Sequence, residues 1–191
     1  VGSEMCIRDR FNTVNLELAR GVMEAAGELD SPVIIGTAEV LLPYGPIEDL
    51  ANLLIPMAER ASVPVVVHLD HGLKEETCRQ ALDLGFSSIM YDCSTMEYEA
   101  NIEHVKRMAE TAHACGASIE AELGHVGDNG GEDPSLFYTD SAQARDFIER
   151  TGADALAIAV GTAHGAYKLP PKLDFNRITE IAENIPTPLV L

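Results

Sequence analysis

Positive charge is scarce in this sequence: 13 Lys and Arg stand against 31 Asp and Glu, a formal net charge of −18. Such an acidic surface repels polyanions, which excludes nucleic acid and anionic membranes as partners. It repels a sugar phosphate at long range too, so a phosphate site would have to work through local donors and a cation. No apolar stretch approaches the roughly 20 residues that span a bilayer, and no charged-then-apolar leader opens the chain. The expected location is the cytoplasm. The four cysteines, Cys6, Cys78, Cys93 and Cys115, form no CxxC pair and no tight Cys/His cluster, so they are expected to be reduced thiols. A GxGxxG turn is missing, which argues against an open dinucleotide-binding sheet. No lysine stands in an obvious strand-centre position, where a Schiff base would need it.

What is present is an ordinary globular balance, 46% hydrophobic and 23% charged residues over 191 positions, enough for one sizeable core. From Phe11 onward, short runs rich in Val and Ile alternate with amphipathic stretches. The runs are 32–37, 63–69, 86–91, 117–123, 153–160 and 187–191, and Phe11-Asn12 reads as the tail of one more. Their near-continuous apolar character is that of strands covered on both faces, as in parallel sheets. The predicted helices between them are 15–29, 47–60, 75–84, 98–115, 141–151 and 174–184. On the first, Leu18, Val22 and Ala25 or Ala26 share an apolar face. Pro46 suits the first turn of the second, Gly85, Gly116 and Gly152 are helix stops, and Asp140 is a candidate N-cap.

Strands and helices alternating at about thirty residues per unit predict βαβ units with right-handed crossovers. Polar groups gather at successive strand ends (Asp70-His71, Asp92, Glu122, His164-Gly165), the pattern of a (β/α)8 TIM barrel. About six to seven of the eight units are visible, so the chain is expected to be an incomplete barrel. Residues 1–10, VGSEMCIRDR, carry neither strand alternation nor a helix face. They are expected to be a non-native leader, with the barrel domain occupying 11–191.

In VVVHLDHG, residues 65–72, alternation puts Val65, Val67 and Leu69 on one strand face and Val66, His68 and Asp70 on the other. Asp70 and His71 then sit at the strand mouth, and Gly72 lets the chain turn. An imidazole beside a carboxylate offers a metal ligand next to a general acid or base; a salt-linked loop pair is the plainer reading. His68 is expected to be a satisfied core histidine. FSSIMYDCS, residues 86–94, puts Asp92 at a strand end as ligand or cap, with Cys93 as a small core filler. SIEAELGHVG, residues 118–127, sets Glu120 and Glu122 on one strand face, and buried carboxylates ask for a cation or a basic partner. His125 in the following loop is expected to be structural.

In IAVGTAHGAYK, residues 158–168, Gly161 and Gly165 flank Thr162 and His164. Free amides in such a turn can hold phosphate, and Lys168 could add a positive charge; a tight turn is the alternative. A catalytic zinc usually takes three protein ligands and leaves one position open. His71 and His164 are the histidine candidates, and the third donor is a carboxylate or lies beyond Leu191.

Together LDHG, FSSIMYDCS, EAELGHVG, LFYTD, DALAIAVGTAHGAYK and PKLDF resemble the class II fructose-bisphosphate aldolases and their tagatose-bisphosphate relatives, in order and spacing from Phe11 to Leu191. The resemblance implies a zinc-dependent aldehyde-lyase of sugar catabolism. Such an enzyme reversibly cleaves a ketose bisphosphate to dihydroxyacetone phosphate and glyceraldehyde 3-phosphate. It implies Asp70 as proton donor and His71 and His164 as zinc ligands. Asp92 and Glu122 resemble carboxylates of a second or alternative cation position, divalent or monovalent. Glu132, ten residues past Glu122, fits the group that moves the proton on the triose carbon. Gly165, Asn12 and Lys168 are the candidate contacts to the phosphorylated sugar, and a homo-oligomer, dimer or tetramer, is expected.

Two departures stand out. The third zinc histidine of the resembling enzymes lies in an HGGSG-like segment just after PLVL, where this sequence stops, so the chain alone is expected to be inactive. Ala38, preceded by Thr37, stands where relatives often carry a substrate-contacting serine. The competing readings are another metal-dependent barrel enzyme, such as a hydrolase using His71 and His164 with water, and an inactive fragment with a partial metal site.

Overall fold

The computed structural model describes residues 9–124, 126, 138–164 and 170–191. Its elements are β1 (Arg10–Asn12), α1 (Leu16–Glu28), β2 (Val33–Ala38), a 3-10 helix (Glu39–Tyr44), α2 (Ile47–Glu59), β3 (Val65–Gly72), α3 (Glu75–Asp83), β4 (Ser88–Tyr91), α4 (Tyr98–Ala114), β5 (Ser118–Leu123), α5 (Ser141–Thr151), β6 (Ala155–Ile158), α6 (Phe175–Asn184) and β7 (Leu189–Val190). Strand order is chain order, and β1–β2, β2–β3, β5–β6 and β6–β7 pair in parallel. Seven parallel strands alternating with helices give the connectivity of an incomplete (β/α) barrel, as the sequence predicts. Among the described residues no helix is long and apolar enough to cross a membrane. The chain divides into two compact units, residues 1–90 with 115–117, and residues 91–114 with 118–191.

In the first unit, β1, β2 and β3 share a register that sorts their side chains. Asn12 stands beside Gly36, Gly36 beside His68, and Ala38 beside Asp70, so these residues occupy one face. A Cβ on Gly36 would lie 2.0 Å from the His68 carbonyl oxygen, an approach that only glycine permits. On the other face Ile35 and Leu69 are fully buried. Helix α1 bears out Ala26 as a buried residue but corrects the rest of the expected face: Ala19 is buried with it, whereas Leu18 is 48% exposed. Two alanines seven positions apart form an equally good helical stripe, and their small side chains let the helix pack closely. Pro46 is the N-cap of α2 rather than a residue of its first turn, and its carbonyl accepts from Asp49 N at 3.0 Å and Leu50 N at 3.1 Å. After β2 the chain continues as a 3-10 helix, Glu39–Tyr44, which no periodicity in the sequence announces. Strand β3 also extends to Gly72, so Asp70 and His71 belong to the strand end itself.

In the second unit, α4 buries Ile102, Val105, Met108, Ala109 and Ala112. Asp140 caps α5 as expected, accepting from Gln143 N at 2.9 Å, and Gly152 ends that helix in the left-handed region at φ 72°. Thr139 is 1% exposed and ties β5 to β6. Its hydroxyl donates to the Leu123 carbonyl and accepts from Ala159 N at 2.9 Å, and its own amide donates to Ala159 O at 3.0 Å. From α6, Arg177 donates to the Thr139 carbonyl at 2.6 Å and lies over the Tyr138 ring. The C-terminal ends of β5 and β6 are therefore locked together by Thr139, the threonine of the LFYTD segment.

Candidate metal centre

A dense polar cluster forms at the end of β3. The buried Asp70 carboxylate accepts from Asn12 Nδ2 at 2.9 Å through Oδ2. Arg10 Nη2 lies 3.0 Å from Oδ1, an ionic contact rather than a well-directed hydrogen bond. Burial pushes the Asp70 carboxyl up. The Arg10 guanidinium, the Asn12 hydrogen bond and the neighbouring His71 and His68 outweigh it, holding the group below the ordinary carboxylate range. It is ionised at neutral pH. Arg10 falls within the ten residues set apart as a leader, and here it begins β1.

His68 lies behind this pair, 3% exposed, with Nε2 2.9 Å from Arg10 Nη1 and Nδ1 2.8 Å from Ser88 Oγ. A guanidinium can only donate, so Nε2 accepts and Nδ1 carries the proton, which it gives to Ser88. Burial first, then the Arg10 charge, push the imidazole down to about 3. His68 is the neutral, satisfied core histidine that the sequence suggests.

His71 is half-buried and has φ 41°, in the left-handed region that residues bearing a Cβ seldom enter. Beyond it, Leu73 N and Lys74 N donate to Glu39 Oε2 at 2.7 and 3.1 Å. Sequence reasoning passed over Glu39, Arg10 and Ser88. For Glu39 a signal existed, because it follows directly on a strand end, the same rule that singled out Asp92 and Glu122.

In the second unit, Asp92 is half-buried just after β4, and its Oδ1 accepts from Ser94 N at 3.0 Å as an Asx turn. Beside it Cys93 is a buried free thiol, in keeping with a core filler. Glu122 is 1% exposed on β5, its Oε1 accepts from Val126 N at 3.0 Å, and Asn101 of α4 donates to its carbonyl at 3.1 Å. Glu120 is likewise buried, so the two-residue spacing did put both carboxylates on one covered face. His164 is exposed, reached through Gly161 at φ 107°. Glu132, Gly165, Lys168 and His125 lie outside the described residues. Each unit by itself offers donors that suit zinc and other divalent first-row cations, the His71 imidazole in the first and the Asp92 and Glu122 carboxylates in the second.

A family model described as fructose-bisphosphate aldolase class-II matches residues 6–191. A fructose-bisphosphate aldolase of Thermus caldophilus is 44% identical over 190 residues, covering 95% of this chain and 61% of the relative. One from Staphylococcus aureus strain COL is 39% identical over 192 residues, covering 95% and 65%. The crystal structure of the YdjI aldolase from Escherichia coli K12 is similar with a TM-score of 0.85 and 37% identity, over 97% of this chain and 65% of that one. The chain thus spans 61% to 65% of the length of these relatives.

Proposed function

The chain belongs to the class-II fructose-bisphosphate aldolase family, and from that premise we propose that the whole protein is a metal-dependent aldolase acting on a ketose bisphosphate. The products would be dihydroxyacetone phosphate and glyceraldehyde 3-phosphate, formed reversibly in sugar catabolism. The observation that carries this reading is Asp70: a buried, ionised carboxylate held by Asn12 and Arg10 and followed directly by a histidine in a rare backbone conformation.

His71 and His164 are proposed as ligands of the cation, zinc on this reading, on the strength of the family's motifs. Asp92 and Glu122 are the proposed carboxylates of a second cation position. When bound, the cation would supply Lewis-acid stabilisation of the negative charge that develops on the triose oxygens. Asp70, ionised in the resting protein, takes the hydroxyl proton as the carbon–carbon bond breaks and returns it to the aldehyde oxygen in synthesis. The Asn12 amide fixes the direction of that carboxylate and can itself reach substrate, because Asn12 is exposed. Glu132 is proposed to exchange the proton on the triose carbon, and Gly165 and Lys168 to hold a phosphate. Ala38, paired with Asp70 in register, leaves an apolar wall where the aldehyde half reacts. The same reading makes the protein a cytoplasmic homo-oligomer.

The test is Asp70→Ala in the full-length protein, assayed with fructose and tagatose bisphosphates. Cleavage should fall by roughly 10²–10⁴-fold, the range for loss of a general acid–base group. Zinc should stay bound, and proton exchange on the triose phosphate should survive better than cleavage, because Asp70 serves the other half of the substrate. Equal loss of both reactions would reduce Asp70 to an orienting role.

A further inference from the structure

Among the described residues only Asp30 and His71 combine a Cβ with positive φ. Asp30 lies in the turn after α1, where aspartate takes this conformation readily. His71 lies inside a strand, where extended backbone is the default. A left-handed residue there persists only if its surroundings hold it.

Those surroundings are identifiable. Before His71, the β2–β3 register ends at Ala38 beside Asp70. The backbone ladder therefore stops one residue short of His71, and the next residue on β2's side is Glu39. Its carboxylate takes over: Leu73 N and Lys74 N converge on the single oxygen Oε2 at 2.7 and 3.1 Å. The Glu39 side chain is only 10% exposed, whereas that of Lys74 is 75% exposed with Nζ 3.8 Å from Oε1, so the amides rather than the ammonium fix this carboxylate. Between these anchors Gly72 packs closely against its surroundings and leaves no room for a side chain, since a Cβ there would lie 2.5 Å from Cys78 Sγ and 2.7 Å from the Met90 carbonyl. His71 is thus clamped on one side by the last ladder pair and on the other by Glu39.

We infer that Glu39 is a positioning residue for the cation site: it sets the backbone of His71, and through it the affinity and geometry of metal binding, without touching the metal. The inference rests on His71 being a ligand, as proposed above. It extends the β2–β3 pairing by a side chain at the one place where the backbone of β3 leaves extended geometry.

The experiment compares the full-length wild type with His71→Ala, Glu39→Ala, Glu39→Gln and Glu39→Asp. Zinc affinity is read by chelator competition, coordination geometry from the visible spectrum of the cobalt(II)-substituted protein, and fold from melting of the metal-free protein. Glu39→Ala should weaken zinc by about 10-fold or more, as losing an indirect support of a ligand does, and should shift the cobalt spectrum. Glu39→Gln keeps an oxygen that can accept both amides and should stay near wild type. Glu39→Asp keeps the charge but is a methylene too short, and should behave like Glu39→Ala. If Glu39→Ala fails to fold, the order of Glu39→Gln over Glu39→Asp carries the test, and the reverse order overturns it. Wild-type affinity and spectrum in Glu39→Ala, with lowered metal-free melting, would leave Glu39 a merely structural part. His71→Ala checks the premise separately, because undiminished zinc there would remove the ligand itself.

Discussion

The ends of β3 and β6 each present a histidine proposed to bind zinc, and they do so by different means. His71 is part of an eight-residue strand, Val65–Gly72, half-buried, in a left-handed conformation held by neighbours on both sides. His164 comes six positions after a four-residue strand, Ala155–Ile158, is held there by a single backbone bridge, and is exposed. A ligand built into a sheet is placed before any cation arrives, whereas one carried past the strand end depends on its loop. The lesson is that residues with the same proposed chemistry need not share the same structural support.

The largest expected effect breaks or sharpens this contrast directly. In the full-length protein, His71→Ala and His164→Ala should each cut zinc content and cleavage sharply, and His71→Ala should cut zinc the further. Metal analysis after dialysis against a weak chelator reads both. Full zinc in both variants would remove the ligand assignment. Equal loss would mean that the loop holds His164 as firmly as the strand holds His71.

Next in size is a pair of glycines, one in each compact unit. A methyl group on Gly36 meets the His68 carbonyl, which is backbone and cannot swing aside. Gly36→Ala must therefore part β2 from β3, and should cost at least about 2 kcal/mol or abolish folding. At Gly152 a Cβ meets nothing within 4 Å, and only its φ of 72° opposes substitution. Gly152→Ala should cost about 1 kcal/mol. Urea unfolding of both variants measures the difference; a Gly36→Ala protein no less stable than Gly152→Ala would mean that the strands can separate cheaply.

The element order was legible because buried parallel strands and amphipathic helices leave different periods in the sequence. Among the described residues, the six α-helices and seven strands fall within a few residues of their predicted limits. The face of α1 was not legible, since the stripe through Leu18 and the stripe through Ala19 are both periodic and only docking chooses between them. At the site, strand ends pointed to Asp70, His71, Asp92 and Glu122, and alternation gave the face shared by His68 and Asp70. What stayed hidden were partners distant in sequence: Arg10 and Asn12 reach Asp70 across 60 and 58 positions of chain only because the β1–β2–β3 register aligns them. Nor does any residue pattern encode a positive φ at a histidine; the adjacent Gly72 is its one visible trace. Glu132, Gly165 and Lys168 still stand on the sequence alone, because they lie outside the described residues.

The smallest effect concerns pH, and it probes the polar cluster behind His71. His68 is pushed down to about 3 in the folded chain by burial and by Arg10, against an ordinary value of 6.5. The unfolded chain therefore binds the proton first. The stability that His68 contributes is complete above about pH 6.5 and erodes as pH falls from there toward 3. Asp70 works in the same direction but lower down: its carboxyl is held below 3.8, so its contribution is lost only as pH falls beneath that value. The two groups can thus be separated by the window in which they act. Urea midpoints of the metal-free protein, taken from about pH 7.5 to about pH 4.5, should fall in the wild type and fall less steeply in His68→Asn, which cannot titrate there. Arg10→Ala removes the charge that reinforces burial, and should give a slope between the two. Parallel slopes in wild type and His68→Asn would show that His68 is not held neutral by its burial and its bond to Arg10.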